Sequence, residues 1–253
     1  ADVLRADHLV HVRCELPAPN ARELFAPFAR HERLRLISLM DHTPGQRQWH
    51  DLDHARVFYC GRKGWSSEKF DDEVRLAPER QARWAAPNRA WFADHAQTYG
   101  ITLATHDDTT AAHVDEAAGL GATMSEFPTT LAAARRARDL GLATVAGAPN
   151  VVRGGSHSGN VSALELAREG LLDALSSDYV PSCLLQAAWM LMREAHHSPS
   201  RAVALVSSSP AWACGLRDRG EIALGQRADV IRVREAAGLP VVREVWRQGR
   251  RVA

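Results

Sequence analysis

Short apolar runs alternate with longer amphipathic stretches along most of this chain, and this alternation limits the folds that it can adopt. Short apolar runs suit strands that are buried in a parallel sheet, and the longer stretches suit helices that cover the sheet. We therefore expect an α/β protein. The runs with the composition of strands are Leu9–Glu15, Leu34–Asp41, Ile101–His106, Ala122–Phe127, Ala143–Ala148 and Leu171–Ser177.

The spacing of these strands predicts a (β/α) barrel of the TIM type. From Ile101 onward a strand begins every twenty to thirty residues or so, as repeated βα units require. The barrel domain is expected to cover residues 1–214. Within it, residues 43–100 hold two helical patterns and form an insertion of the kind that builds substrate lids. Residues 215–253 predict a small β domain. The helices expected are Thr130–Leu140, Asn160–Glu169 and Val203–Cys214, and Pro210 is expected to kink the last of these or to start a new segment. The tail strands expected are Glu221–Ala223, Ala228–Val233 and Val241–Arg247.

Composition and charge exclude several classes of function. The 253 residues have a net charge of +1, which gives no reason to expect binding to nucleic acid or to a membrane. The uncharged stretch from Cys183 to Met192 is too short to span a bilayer. The four cysteines are far apart and form no CxxC pair, which argues against a disulfide framework and against a structural zinc site. We expect a reduced, cytoplasmic location.

Side chains that can bind a metal follow almost every predicted strand. Barrel enzymes carry their catalytic groups at the C-terminal ends of the strands, so the position is as informative as the residue type. Carboxylates and neutral imidazoles that converge there suit Zn²⁺ or Mn²⁺, although any one of them alone is more often a structural polar group. In the first strand, His11, Arg13 and Glu15 share the face expected to line the barrel interior. The strand-end residues are Glu15, Asp41, His42, His106, Asp107, Asp108, Glu126 and Asp178.

The segment Gly147–Asn160 is a second functional signal, since it lies between a predicted strand and a predicted helix. Its glycines let the backbone approach an anion closely, and Arg153 and the following helix N-terminus add donors. The loops after the last two strands are the usual phosphate site of barrels. We expect phosphate binding here, and the alternative is a flexible connector. The expected phosphate-binding residues are Arg47, Asn150, Arg153, Gly154, Gly155, Ser156 and His157.

Several segments together resemble one enzyme family. They resemble the α-D-ribose 1-methylphosphonate 5-triphosphate diphosphatases of the carbon–phosphorus lyase pathway, which are a branch of the amidohydrolase superfamily. The tail Gly220–Asp229, followed by Trp246–Gly249, is similar to the composite β domain of that superfamily. The segments that carry the resemblance are Arg13–Leu16, Ser38–Gln48, Thr105–Thr109, Ser125–Thr130, Gly147–Asn160 and Leu175–Tyr179.

The resemblance implies hydrolysis of a sugar 5-triphosphate to the 5-phosphate with release of diphosphate, at a centre of two divalent ions, zinc or manganese. It implies that Glu15 is the carboxylate ligand after strand 3 and that His42 is an additional ligand after strand 4. His106 would be the histidine ligand after strand 5. Asp178, after strand 8, would bind metal and handle the proton of the attacking water. We therefore expect His106 and Asp178 to be catalytic, and Glu15, His106 and Asp178 to converge on one centre.

Two departures from the superfamily pattern accompany the resemblance. Glu126 occupies the place of the usual strand-6 histidine, so its role as a ligand is open. The strand-1 metal motif is absent, and the chain begins with Ala1 instead of Met. Counting the predicted strands as 3 to 8 explains both facts, so we expect an open barrel that lacks strands 1 and 2. The activity of the chain alone is then doubtful.

Two other functions agree with parts of the sequence. The strand-end ligands alone would also suit an amidohydrolase that cleaves a C–N bond, such as a cyclic amidase or a deaminase, but the anion-binding segment argues against it. A non-catalytic barrel that binds a phosphorylated ligand is the second alternative. The partner expected is a small-molecule sugar triphosphate, and self-association into a homo-oligomer is compatible with the sequence.

Overall fold

The computed structural model describes residues 4–155 and 160–253, and the chain divides into two compact units. One unit is built from residues 10–142. The other is built chiefly from residues 4–9, 143–155 and 161–253. Among the described residues, no helix combines the length and the apolar character that a membrane span requires.

The first unit contains four parallel strands that pair in the order in which they occur in the chain. The register places Glu15 beside Met40, Leu39 beside Thr105, and His106 beside Glu126. The carboxyl ends of all four strands therefore meet at one edge. The strands are β1 (Val10–Glu15), β2 (Leu34–Met40), β3 (Thr102–His106) and β4 (Met124–Glu126).

Helices cover these strands as the amphipathic stretches predict. An apolar core joins them, with Phe25, Ile37, Phe92 and Leu103 among its buried members. Full burial of a side chain of this size contributes roughly 1.5–3 kcal/mol. The helices are α1 (Ala21–Phe25), α2 (Leu52–Arg62), α3 (Ser67–Tyr99), α4 (Ala111–Gly119) and α5 (Leu131–Asp139), with short 3₁₀ segments at Ala26–Phe28 and Arg47–Trp49.

The insertion at residues 43–100 folds into α2 and α3, in agreement with the two helical patterns expected there. The side chains of Asp51 and Ser66 accept hydrogen bonds from the first backbone N–H groups of these helices. On α3, the buried Asn88 donates from Nδ2 to the backbone oxygens of Leu16 and Ala18, at 2.9 and 3.0 Å. This contact fixes the insertion to the chain immediately beyond the end of β1.

The second unit contains two further parallel strands and a small antiparallel sheet. The register of the parallel pair places Val145 beside Ala174 and Gly147 beside Ser176. The parallel strands are β5 (Ala143–Gly147) and β6 (Ala174–Ser176), and the antiparallel strands are β7 (Val230–Ala236), β8 (Leu239–Arg247) and β9 (Arg250–Arg251). The helices are α6 (Ala148–Arg153), α7 (Ala163–Arg168), α8 (Cys183–Glu194), α9 (Pro199–Ala204) and α10 (Ser208–Ala213).

The predicted α/β class, with six parallel strands followed by a small β sheet, is confirmed. Each of the six strands predicted for the parallel sheet overlaps an observed one. The observed β4 and β6 are shorter than predicted, because residues 122–123 and 171–173 precede them without regular secondary structure. The domain boundary between residues 214 and 215 stays a prediction.

Two local predictions for the second unit are wrong, and in a third the interruption expected at Pro210 divides the predicted helix. The first half of Gly147–Asn160 is the helix α6 rather than a loop: Pro149 suits its first turn, and Gly154 ends it at φ +80°. Residues 156–159 lie outside the described part. The helix predicted for Val203–Cys214 is divided into α9 and α10, since Pro210 lacks the N–H that a continuous helix would need. Glu221–Ala223 forms no strand, and its Ile222 is exposed.

A candidate metal centre at the ends of the first four strands

Three potential ligands meet at the carboxyl edge of the first unit. His42 follows β2, His106 ends β3, and Asp107 comes next in the chain. Each of these residues offers one ligand atom, and the three atoms all lie within 4.8 Å of one another. We call these three residues the ligand group. Imidazole nitrogens and a carboxylate oxygen at such distances suit a divalent ion such as Zn²⁺.

Asp107 has an unusual backbone conformation that points its carboxylate at the two histidines. Its φ is +54°, a region that residues other than glycine rarely adopt, and its N–H donates to the backbone oxygen of Glu126 at 2.9 Å. Oδ2 lies 3.6 Å from Nε2 of His42 and 3.4 Å from Nε2 of His106. This buried oxygen has no hydrogen-bond partner among the described residues. Such an atom is costly, so the group fits a bound cation, which would satisfy it.

Glu15 controls the orientation of His42. One carboxylate oxygen of Glu15 lies 2.6 Å from Nδ1 of His42, and the other accepts the backbone N–H of His42 at 2.9 Å. Burial lowers the pKa of His42, but the carboxylates of Asp107 and Glu15 outweigh this effect and raise it to about 9. With Nδ1 held by Glu15, Nε2 is the ring nitrogen that faces Asp107.

A chain of hydrogen bonds fixes the tautomer of His106. Nη2 of Arg13 lies 2.9 Å from Nε2 of His106, and because a guanidinium only donates, Nε2 must accept. The proton of the neutral ring is therefore on Nδ1, which donates to Oε2 of Glu126 at 2.8 Å. Ser38 also donates to this oxygen, at 2.9 Å, and so accepts from Nε2 of His11 at 2.6 Å. The Nε2 lone pair of His106 thus points in the direction that metal binding needs.

The carboxylate of Glu126 stays ionised in this chain. Burial would raise the pKa of Glu126, but the hydrogen bond from His106 and the other contacts outweigh this effect and lower it to about 2. The Glu126–His106 pair therefore matches the Glu15–His42 pair. In metal sites, a carboxylate on the far nitrogen of a histidine orients the ring and raises its basicity.

Glu15 and Glu126 thus contact the Nδ1 atoms of His42 and His106, and not the Nε2 atoms that face Asp107. Glu15 is a predicted metal ligand and Glu126 is a candidate ligand whose role the sequence leaves open, and the structure does not bring either of them into the ligand group. Their direct coordination of a metal stays a prediction. His42 and His106 do belong to the group, and their coordination of a metal also stays a prediction.

A buried ion pair between Arg47 and Asp108 supports the backbone of the ligand group. Nη1 of Arg47 lies 2.9 Å from Oδ1 of Asp108 and donates to the backbone oxygen of His106 at 2.9 Å. Thr105 and Ser125 also donate to the fully buried carboxylate of Asp108, each at 2.9 Å. Arg47 was predicted to bind phosphate. In the structure, the guanidinium of Arg47 makes these contacts with Asp108 and His106. Phosphate binding by Arg47 stays a prediction.

The remaining predicted site residues belong to the second unit. Asp178 follows β6 with a φ of +48°, and its N–H donates to Oγ of Ser176. Nη1 of the exposed Arg153 donates to the hydroxyl of Tyr179 at 3.4 Å. Oδ1 of Asn150 accepts the N–H of Ala163 at 2.9 Å, and Gly155 donates to the backbone oxygen of Asn150. Their predicted roles are untested, and Ser156 and His157 lie outside the described residues.

The sequence reasoning missed two contributors. Asp107 was counted among the strand-end residues but was not selected as a ligand, although its position directly after His106 was a usable signal. Ser38 was noted only as part of a motif. Its role depends on a contact between β2 and β4, which nothing in the local sequence indicates.

Comparisons with known proteins show which family the chain is similar to. The model of the amidohydrolase family matches residues 66–253. The chain is 45% identical to the alpha-D-ribose 1-methylphosphonate 5-triphosphate diphosphatase of Escherichia coli (strain K12), over 99% of this chain and 67% of that protein.

Two solved structures share the fold at low sequence identity. One is an uncharacterised protein, with a TM-score of 0.50 and 18% identity over 67% of this chain, and the chain spans about half (49%) of its length. The other is the N-acetylglucosamine-6-phosphate deacetylase of Pasteurella multocida, with a TM-score of 0.52 and 12% identity over 97% of this chain and 75% of that one. By the family model and the 45% relative, the chain belongs to the amidohydrolase family.

Proposed function

We propose that this chain carries the catalytic part of a metal-dependent hydrolase that cleaves α-D-ribose 1-methylphosphonate 5-triphosphate to the 5-phosphate and diphosphate. The observation that carries the proposal is the ligand group His42, His106 and Asp107, with its unpartnered carboxylate oxygen. The name of the 45% identical relative supports the choice of substrate. The place of such a reaction is the catabolism of phosphonates.

The residues of the first unit have two different roles at the proposed metal centre. The Nε2 atoms of His42 and His106, together with Oδ2 of Asp107, would hold the ion. Glu15 and Glu126 keep both rings in the ligand orientation by binding their Nδ1 atoms. When bound, a divalent ion lowers the pKa of a water molecule and so supplies a nucleophile near neutral pH. We propose zinc or manganese, and two ions in all.

The second unit supplies the remaining proposed residues. Asp178 is proposed to accept the proton of the attacking water, as its place after β6 suggests by analogy with barrel enzymes. Arg153, Asn150, Gly154 and Gly155 are proposed to bind phosphate groups, with Ser156 and His157 beside them. The exposed position of Arg153 at the end of α6 supports this role, since its guanidinium is accessible to an anion.

Two broader proposals concern the surroundings of the protein. A cytoplasmic location agrees with four free cysteines, because a reducing compartment keeps thiols unpaired. Self-association into a homo-oligomer also stays a proposal, which a measurement of molar mass in solution would decide.

The central experiment measures diphosphate release from the proposed substrate by the purified full-length protein, first stripped with a chelator and then reloaded with Mn²⁺ or Zn²⁺. We expect release only after reloading. Asp107→Asn should lose most of this activity and bind the metal more weakly, because the neutral amide cannot replace the carboxylate ligand. Asp139→Asn is the matched control, since Asp139 is an exposed carboxylate at the end of α5.

Two outcomes would count against the proposal. Metal binding without diphosphate release would leave a metal site and remove the proposed substrate, and amide substrates would then be assayed. Diphosphate release that is unaffected by the chelator would remove the metal centre from the mechanism.

A further inference from the structure

The positively charged side chain of Arg13 borders the ligand group. Arg13 is not among the residues that were predicted to bind the substrate. Arg13 lies on β1, two residues before Glu15 and on the same face of the strand. Its Nη2 atom is 2.9 Å from Nε2 of His106, and its Nε atom is 3.0 Å from the sulfur of Met40. The guanidinium therefore touches the ring nitrogen that faces Asp107.

The two partners of Arg13 are uncharged. A neutral imidazole and a thioether sulfur are weaker acceptors for a guanidinium than a carboxylate or a phosphate oxygen. Within residues 4–155 and 160–253, no carboxylate lies within 4 Å of the Arg13 nitrogens. The residue is also exposed. An arginine in such a setting retains the capacity to bind an oxyanion.

Arg47 provides the contrast within the same unit. Its guanidinium is buried, pairs with Asp108 and donates to the backbone of β3. Its charge is therefore already neutralised, and an anion would have to compete with a buried ion pair. Of these two arginines, Arg13 is the one that can meet a substrate.

We propose that Arg13 binds an anionic phosphate group of the substrate beside the ligand group, a choice of ligand that rests on the proposed function. A phosphate oxygen would replace His106 and Met40 as the acceptor, and the planar fork allows two parallel hydrogen bonds. The same charge would stabilise the negative charge that is redistributed when the anhydride bond breaks. Arg13 is thus a residue that selects a polyanionic substrate over a neutral amide.

The test is the affinity for inorganic triphosphate, measured by calorimetry on the whole protein with and without Mn²⁺. Arg13→Gln should weaken the binding about tenfold to a hundredfold, the range for one charge-assisted contact. Arg13→Lys should recover part of the affinity, because it keeps the charge and loses the fork. Arg33→Gln, which removes an exposed charge from the same unit, should change it by less than about twofold.

A second readout separates substrate binding from support of His106. The affinity for Mn²⁺ alone should stay equal or rise in Arg13→Gln, because a positive charge beside the ligand group is removed. Triphosphate affinity within twofold of the wild type would overturn the proposal, and so would a parallel loss of Mn²⁺ affinity. Absence of Mn²⁺ binding in the wild type would instead count against the proposed function, since the Arg13 contact is still measured in the titration without metal.

Discussion

His106 donates the proton on its Nδ1 atom to Oε2 of Glu126 over 2.8 Å, and the two residues are direct neighbours in the register of β3 and β4. The parallel sheet thereby sets the side-chain chemistry of the site. Glu126, at the end of β4, determines which ring nitrogen of the histidine on the neighbouring strand β3 is available to bind a metal.

Glu126→Gln should weaken metal binding through this contact. An amide can donate as well as accept, so it no longer requires the proton of His106 to be on Nδ1. We expect metal affinity to fall about tenfold to a hundredfold, as for the loss of other carboxylates that orient ligand histidines. Competition with a chromophoric chelator measures it. Glu79→Gln, on the exposed side of α3, is the control, and equal affinities for wild type and Glu126→Gln would show that the tautomer is fixed by other contacts.

The raised pKa of His42 predicts that the metal-free protein loses stability as the pH rises. His42 has a usual pKa of 6.5 and a folded-state pKa of about 9, so protonation favours the folded state. This contribution, a few kcal/mol at most, is complete below about pH 6.5 and disappears as the pH passes through about 9. Urea unfolding at several pH values in a chelator measures it. His42→Gln should flatten this slope, and an unchanged slope would contradict the pKa assignment.

Arg47→Ala should destabilise the fold strongly. It leaves the fully buried carboxylate of Asp108 without its charged partner, which costs about 3–5 kcal/mol for a buried pair. The measurement is the free energy of unfolding in urea. Arg56→Ala breaks an exposed pair with Asp71 and should lower the free energy of unfolding far less. Similar losses for both variants would mean that Asp108 does not depend on Arg47.

Arg153→Ala should lower kcat/KM for diphosphate release by an amount equivalent to ~1.5–3 kcal/mol, if Arg153 makes one charge-assisted contact with the substrate. Arg153→Lys should recover only part of the loss. Arg250→Ala, on the exposed strand β9, serves as the control. If kcat/KM agrees within about twofold among the wild type and the Ala and Lys variants, the residues around α6 only connect two elements of the fold.

The sequence predicted the strands well because their buried apolar runs are local signals. It also predicted where ligand residues occur, since position at a strand end can be read from the pattern. It could not predict that Glu15 and Glu126 contact the Nδ1 atoms of histidines, because those contacts depend on the register between strands. The positive φ that turns Asp107 toward His42 could not be predicted from the sequence, because aspartate adopts this conformation at only a few of its positions. The Gly-rich segment misled because Pro149 favours a helical turn.

Asn88 limits how the insertion can move. Its side chain holds the backbone of Leu16 and Ala18, and Arg22 donates to its Oδ1 atom, so this part of α3 is anchored next to Glu15. A lid that closes over the ligand group would therefore have to pivot on the N-terminal side of this anchor, with α2 and the start of α3 as its moving arm. A substitution of Asn88 would therefore alter the orientation of His42. Asn88 fixes the chain next to Glu15, and Glu15 holds both the ring and the backbone of His42.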